Sequence, residues 1–173
     1  MADENHRSRP RFEGIGNSKN AAAITRRILM WQNGVRSNAG GSYQPSKTEL
    51  LDAWRTDPII RAATEAATQM KGRKQIPASI IGLTWWLFSQ IDADQCATFW
   101  HGLYSGSDLS ANNPIHVVRE RIIRQNAQPG RIPETIYLAW VIKAWNLWRT
   151  DKKLSPNYRG FDLKAGERFP EPR

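Results

Sequence analysis

Residues 80–88 are IIGLTWWLF, a stretch whose apolar side chains would surround a helix on nearly every side. A helix at the surface of a globular protein would instead confine its apolar residues to one stripe. The preceding Pro77 suits the start of a helix, because proline lacks the amide hydrogen that the first turn leaves unbonded. We therefore expect a buried, central helix here, with the rest of the chain packed around it.

Helical spacing of apolar residues predicts further helices on both sides of this segment. The pattern predicts helices over residues 19–32, 47–56, 58–71, 77–91 and 95–104, a sixth that begins at Pro114 and is broken by Pro129, and a seventh that begins at Pro133. Ser46 and Glu49 have the spacing of a capping box, which marks the start of the second helix. No segment alternates with the period of a β-strand for long, so the sequence predicts an all-α fold.

The predicted organisation is a single-domain bundle of about seven helices with two irregular ends. Residues 1–16 are rich in arginine and poor in apolar residues, which predicts a flexible basic arm. Residues 17–153 form the helical domain. Residues 154–173 are interrupted by proline and glycine, and we expect an extended tail that Phe161 and Phe169 attach to the domain.

Apolar stripes indicate which side chains the core should contain. In the third helix we expect an inward stripe, formed by Ile59, Ala62, Ala66 and Met70. The chain holds eight tryptophans, and tryptophan buries more area than any other side chain. Five of them lie on the most apolar helices and are predicted to be mostly buried: Trp85, Trp86, Trp100, Trp140 and Trp145.

The charge of the chain favours an anionic partner. Lysine and arginine number 25 against 16 aspartate and glutamate, a net charge of +9. Residues 76–118 contain no lysine or arginine, so the basic residues fall into one group before the central helices and another after them. The charge balance favours nucleic acid first, DNA in particular, and an acidic protein or a membrane surface second, while the segregation favours a basic patch over a charge that serves solubility alone. The sequence leaves open whether the two groups form one surface.

The predicted nucleic-acid-binding residues come from both basic groups. They are Arg7, Arg9, Arg11, Lys19, Arg26, Arg27, Arg121, Arg124, Arg131, Lys152 and Lys153. Arg121 and Arg124 are three residues apart on the sixth helix and should emerge on one face, opposite Ile115, Val118 and Ile122. Lys152 and Lys153 follow a helix carboxyl end, where the helix dipole alone would also favour a cation.

The sequence shows no motif for catalysis or metal binding. It has no P-loop, GxGxxG or GxSxG pattern, and its histidines, His6, His101 and His116, are scattered. The single cysteine, Cys96, lies on an apolar helix and is predicted to be a small buried residue. We therefore expect no enzyme activity, no cofactor and no metal.

The expected compartment is the cytoplasm. One cysteine leaves no internal disulfide to form, and no run of residues reaches the roughly 18 apolar positions of a membrane span. The first residues lack the apolar stretch of a signal peptide. The oligomeric state stays open.

Several segments together resemble a known family. They are GIGNSKNAAAITRRILMWQNG (14–34), IPASIIGLTWWLFSQID (76–92), SGSDLSANNPIHVVRERIIR (105–124), VIKAWNLWR (141–149) and GERFP (166–170). In this order they resemble the helical C-terminal region of phage and bacterial proteins that carry a ParB-like nuclease domain, over roughly residues 12–170. The most specific parts are Arg119-Glu120-Arg121 after Asn113-Pro114, and the run from Ile142 to Asn146.

This resemblance implies a helical module and a setting in the DNA biology of phages or mobile elements. The glycine-containing, His-Arg-rich signature of the ParB-like domain has no counterpart in the sequence, so no nuclease residue carries over. The leading hypothesis is a non-enzymatic DNA-binding or DNA-associated accessory protein. The alternative is a protein-interaction module that docks a partner through exposed aromatic residues, and an enzyme with an unrecognised site is a third possibility. Exposed tryptophans would favour the alternative, and buried tryptophans the leading hypothesis.

Overall fold

The computed structural model describes residues 18–37, 43–70 and 76–173. Within these ranges the chain forms seven α-helices and no β-strand: α1 (Ser18–Gln32), α2 (Lys47–Thr56), α3 (Pro58–Gln69), α4 (Ala78–Ser89), α5 (Ala93–Ser105), α6 (Pro114–Asn126) and α7 (Glu134–Arg149). The predicted all-α bundle is confirmed. The predicted arm, residues 1–16, lies outside the described residues, and so do Arg7, Arg9 and Arg11.

Local capping explains where several of these helices begin. The Ser46 hydroxyl accepts a hydrogen bond from the Glu49 amide at 3.2 Å, and the Glu49 carboxylate accepts one from the Ser46 amide at 2.7 Å. This is the predicted capping box, and it satisfies two amides that the first turn of α2 leaves free. Asn113 caps α6 in a similar way by accepting from the Ile115 amide.

The central position of α4 is confirmed. This helix packs against α1, α3, α5 and α7, and nearly all of its side chains are buried. At its carboxyl end the Phe88 ring stacks on Trp145 of α7, with ring centroids 4.2 Å apart. Four of the five tryptophans expected in the core are buried, and Trp85 is half-buried, which confirms that prediction.

A glycine allows α1 and α4 to approach closely. A Cβ atom added at Gly82 would lie only 2.5 Å from two carbon atoms of the Ile24 side chain. Ile24 itself is fully buried. The contact between these two helices therefore requires a residue without a side chain at position 82.

The predicted inward face of α3 is wrong, because the buried stripe is displaced by about one residue along the helix. Ile60, Ala63, Thr64 and Ala67 are buried, whereas Ile59 is half-buried and Ala62 is exposed. Ala66 is buried as expected. The observed face includes a threonine because the Thr64 hydroxyl donates to the carbonyl of Ile60 at 2.9 Å, so its polar atom is satisfied within the helix.

Residues 154–173 run along the bundle without regular helix. Phe161 is fully buried, and Phe169 contacts the edge of Trp31 on α1, with ring centroids 6.2 Å apart. Next to this contact Arg36 lies over the Trp31 ring at 3.7 Å and forms an ion pair with Glu171 at 3.0 Å. The backbones of Glu171 and Arg173 also form hydrogen bonds with the side chains of Trp145 and Asn146 of α7, so this part of the tail is attached to both α1 and α7.

Candidate nucleic-acid interface

Five of the eight described basic residues of the predicted set line two clefts that share no residue. The first, here called the α1 cleft, has a volume of about 270 Å³ and contains Lys19, Arg26 and Arg27. The second, the α6 cleft, has a volume of about 380 Å³ and contains Arg121 and Arg124. Arg131, Lys152 and Lys153 are exposed outside both clefts, and Lys153 pairs with Asp151 at 3.0 Å.

Arg27 differs from the expectation that it would face a phosphate. Its side chain is only 4% exposed, and its Nε atom lies 4.0 Å from a carboxylate oxygen of Glu134, at the start of α7. The same oxygen accepts a hydrogen bond from the Ser79 hydroxyl at 3.2 Å. Burial lowers the pKa of Arg27, and the Glu134 carboxylate opposes that change.

The position of Arg27 on α1 explains its burial. It lies between Ile24 and Ile28, two of the fully buried residues of the α1 stripe. The Glu134 carboxylate provides a nearby negative charge. The structure thus assigns Arg27 to the packing of α1 near α4 and α7, while Lys19 and Arg26 remain exposed at the cleft.

The α6 cleft lies between α6 and the irregular tail. One wall comes from α6 and the turn after it, and the other from residues 157–162. The lining side chains are Arg121, Arg124, Gln125, Gln128, Asn157, Tyr158, Arg159 and Asp162. Arg121, Arg124 and Gln125 share one face of α6 because they are three and four residues apart.

The tail wall of this cleft is held in place by contacts with α7. The Lys143 ammonium group donates to the carbonyls of Gly160 and Asp162, at 3.3 and 3.0 Å. The fully buried Phe161 ring meets the Tyr158 ring edge-on, with centroids 4.9 Å apart. These contacts hold the backbone on either side of Phe161 against α7.

Arg121, predicted as a nucleic-acid-binding residue, is engaged in contacts within the fold. Its Nη2 atom lies 2.8 Å from both carboxylate oxygens of Asp162. The guanidinium carbon also lies 4.8 Å from the ring centroid of Trp140, and the Trp140 indole donates to Asp162 at 3.1 Å. Arg121 thus connects α6 to the tail and to α7, and its positive charge is largely compensated.

The other two arginines of the α6 cleft carry its net charge. Arg124 and Arg159 are exposed, and within the described ranges neither forms an ion pair. The lining therefore holds three guanidinium groups and one carboxylate, an excess of two positive charges. Burial, with a further contribution from Glu167, raises the pKa of Tyr158, so its hydroxyl stays neutral and able to donate a hydrogen bond.

The sequence did not predict a binding role for Arg159, Tyr158 or Asp162. The tail has no helical period that would place them beside α6, and the contact between Arg121 and Asp162 joins residues 41 positions apart. The available signal was compositional, since residues 155–162 are mostly polar around a single phenylalanine.

The aromatic residues offer little exposed surface. All eight tryptophans belong to the described residues, six of them are buried and Trp85 and Trp148 are half-buried. The exposed large apolar side chains in the described part of the chain are Ile91 and Leu163. The exposed tryptophan cluster that would have favoured the docking hypothesis is therefore not found.

The thiol of Cys96 is buried, and burial with a smaller effect of Asp92 raises its pKa to about 12. No group of three or more potential metal ligands occurs among the described residues. Of the helices in the described part of the chain, none is long and apolar enough to cross a membrane.

Comparison with known proteins gave no match: the chain fits no family model and is similar to no curated protein and no solved structure at a significant level.

Proposed function

We propose that this protein is a non-enzymatic nucleic-acid-binding protein, with DNA as its expected partner. The observation that carries the proposal is the α6 cleft, where the exposed Arg124 and Arg159 come from two different elements and line one concave surface. Guanidinium groups bind phosphate oxygens with well-defined geometry and keep their charge at any physiological pH. The net charge of +9 adds a long-range attraction for a polyanion.

The α1 cleft supplies a second set of phosphate contacts in this proposal. Lys19 and Arg26 are exposed there, whereas Arg27 is held inside the fold. The arginines of residues 1–16 belong to the same basic group in sequence. Contacts of this kind position a protein on the backbone and carry no sequence information, so we expect salt-sensitive and weakly selective binding.

The biological setting is part of the proposal as well. The segments that resemble the helical region of ParB-like nuclease-domain proteins favour an accessory or regulatory protein of a phage or mobile element, acting in the cytoplasm. The competing docking hypothesis needs an aromatic surface, and the burial of the tryptophans counts against it. We therefore rank nucleic-acid binding first.

A titration of labelled duplex DNA at two salt concentrations tests the proposal. Wild-type protein should bind with a dissociation constant in the nonspecific range of about 10⁻⁴ to 10⁻⁶ M near physiological salt. The double variant Arg124→Ala/Arg159→Ala should bind more weakly, with a log–log salt slope shallower by up to about 0.9 for each phosphate that the variant no longer neutralises.

The matched control is Arg55→Ala/Arg168→Ala, which removes two exposed arginines that line neither cleft. This double variant has the same net charge change as Arg124→Ala/Arg159→Ala. Its binding should stay close to that of the wild-type protein. Absence of wild-type binding to DNA or RNA throughout the weak range would rule out the proposal.

A further inference from the structure

The α6 cleft contains more than the positive charge that a phosphate backbone requires. Besides its arginines it is lined by three side-chain amides, those of Gln125, Gln128 and Asn157. Each amide can both donate and accept a hydrogen bond. Amides of this kind recognise planar groups that present donors and acceptors side by side, as the edges of nucleic-acid bases do.

The concave shape of the cleft also favours a single nucleotide as its occupant over a length of duplex. A duplex backbone is a continuous convex rod, and it is bound by side chains that extend into its grooves or along its phosphates. The volume of about 380 Å³ instead falls within the range of roughly 300–1,000 Å³ that is typical of pockets for small molecules and cofactors. A single nucleotide that leaves the stack fits such a concave site.

We propose that the α6 cleft receives one unpaired nucleotide of a nucleic-acid strand. Its phosphate lies between Arg124 and Arg159, and its base edge faces the amides of Gln125, Gln128 and Asn157. This inference rests on the proposed function and specifies the form of nucleic acid that the cleft selects. In a fully paired duplex the Watson–Crick edge of each base is used for pairing, and the edges that stay free lie inside the grooves, which a concave cleft cannot enter, so the amides gain little from a paired strand.

The wall that carries Asn157 and Arg159 is suited to this selection because contacts within the protein hold the neighbouring residues in place. Lys143 holds two backbone carbonyls of the tail, and Asp162 is bound by Arg121 and Trp140. A preorganised site loses less conformational entropy on binding, so more of the interaction energy contributes to affinity. Because Arg121 is paired with Asp162, Arg124 and Arg159 are the charged groups that meet the phosphate.

The test compares a short labelled single-stranded oligonucleotide with a blunt-ended duplex of the same sequence. Wild-type protein should bind the single strand about tenfold more tightly, a difference of about 1.4 kcal/mol. Gln125→Ala/Gln128→Ala should remove this preference by weakening single-strand binding about tenfold more than duplex binding. Arg124→Ala/Arg159→Ala should weaken binding to both. Gln95→Ala, an exposed glutamine on α5 outside the cleft, is the matched control.

The outcomes distinguish failure of the inference from failure of the proposed function. Equal affinity for single strand and duplex would overturn the inference while nucleic-acid binding stands. A single-strand preference that survives Gln125→Ala/Gln128→Ala would place base recognition elsewhere and would also overturn it. No binding to either oligonucleotide would remove both. Circular dichroism of each variant verifies that the helices remain intact.

Discussion

Both carboxylate oxygens of Asp162 lie 2.8 Å from the same terminal nitrogen, Nη2, of Arg121. This contact joins the tail to α6, and Trp140 completes it by donating to the same carboxylate. Asp162 is therefore the acidic residue that both shapes the α6 cleft and reduces its positive charge.

Replacing Arg121 should affect stability, whereas replacing its neighbour Arg124 should not. Arg121→Ala removes a partly exposed ion pair and a contact with the Trp140 ring, so we expect a loss of about 1 to 2 kcal/mol in the free energy of unfolding. Arg124→Ala, at an exposed position, should change it by less than about 0.5 kcal/mol. Urea unfolding measures both. Equal effects of the two substitutions would show that the Asp162 contact contributes nothing.

Asp162→Asn should strengthen nucleic-acid binding. The amide keeps an oxygen that can accept from Trp140, but it removes the negative charge that faces Arg121. The freed guanidinium adds to the field at the cleft, so the affinity for a labelled oligonucleotide should rise several-fold at low salt and less at high salt. Unchanged or weaker binding by a folded Asp162→Asn variant would contradict this role.

Gly82→Ala should destabilise the protein, because the added Cβ would lie 2.5 Å from the side chain of Ile24. Overpacking of this kind typically costs about 1 to 3 kcal/mol. The matched control is Gly102→Ala in α5, where a Cβ would have its nearest neighbours at an ordinary 3.5 Å. That substitution should be neutral or stabilising by up to about 1 kcal/mol, since alanine favours a helix more than glycine does.

Gly82 and Ile24 allow a double-mutant cycle. If the clash with Ile24 causes the loss, Ile24→Ala/Gly82→Ala should be less destabilised than the two single variants predict together. Strict additivity would mean that the cost of Gly82→Ala arises elsewhere. Chemical denaturation of the four proteins gives the interaction energy directly.

Cys96 should make the protein less stable in alkaline solution. Its folded-state pKa of about 12 exceeds the value of about 8.5 for an exposed thiol. Between these values the unfolded chain releases a proton that the folded chain retains, so rising pH lowers the free energy of unfolding, at most by about 1.4 kcal/mol per unit from this group.

Urea unfolding over a series of pH values measures the effect. Cys96→Ala should lose stability at every pH because it leaves a small cavity, but its stability should fall less steeply above pH 9 or so. The described tyrosines with raised pKa values, Tyr43, Tyr137 and Tyr158, act in the same direction in both proteins and cancel in the comparison. Parallel curves for the two proteins would contradict the prediction.

Local signals in the sequence were sufficient to locate the helices. The capping box at Ser46 and the Asn113-Pro114 pair depend on residues a few positions apart, and the structure contains both. The apolar run of residues 80–88 also requires burial on all sides whatever its neighbours are. For these features the physical cause lies within one or two turns of chain.

Features that depend on distant partners were predicted less well. Alanine occurs on several faces of α3, so the apolar pattern does not define which face points inward. The packing of α3 against α4 decides its orientation. The burial of Arg27 depends on Glu134, and the α6 cleft on a tail without periodicity. In each case the deciding residues lie on another element of the fold, and nothing in the local pattern indicates them.

The contact of the tail with α1 also bears on how the protein folds. Arg36 and Glu171 are 135 residues apart, and Phe169 contacts the neighbouring Trp31. Closing a loop of this length costs chain entropy before the contact can repay it, so contacts between such distant residues form late and slow folding. We therefore expect this side of Trp31 to be covered in the last step of folding, after the helices have packed.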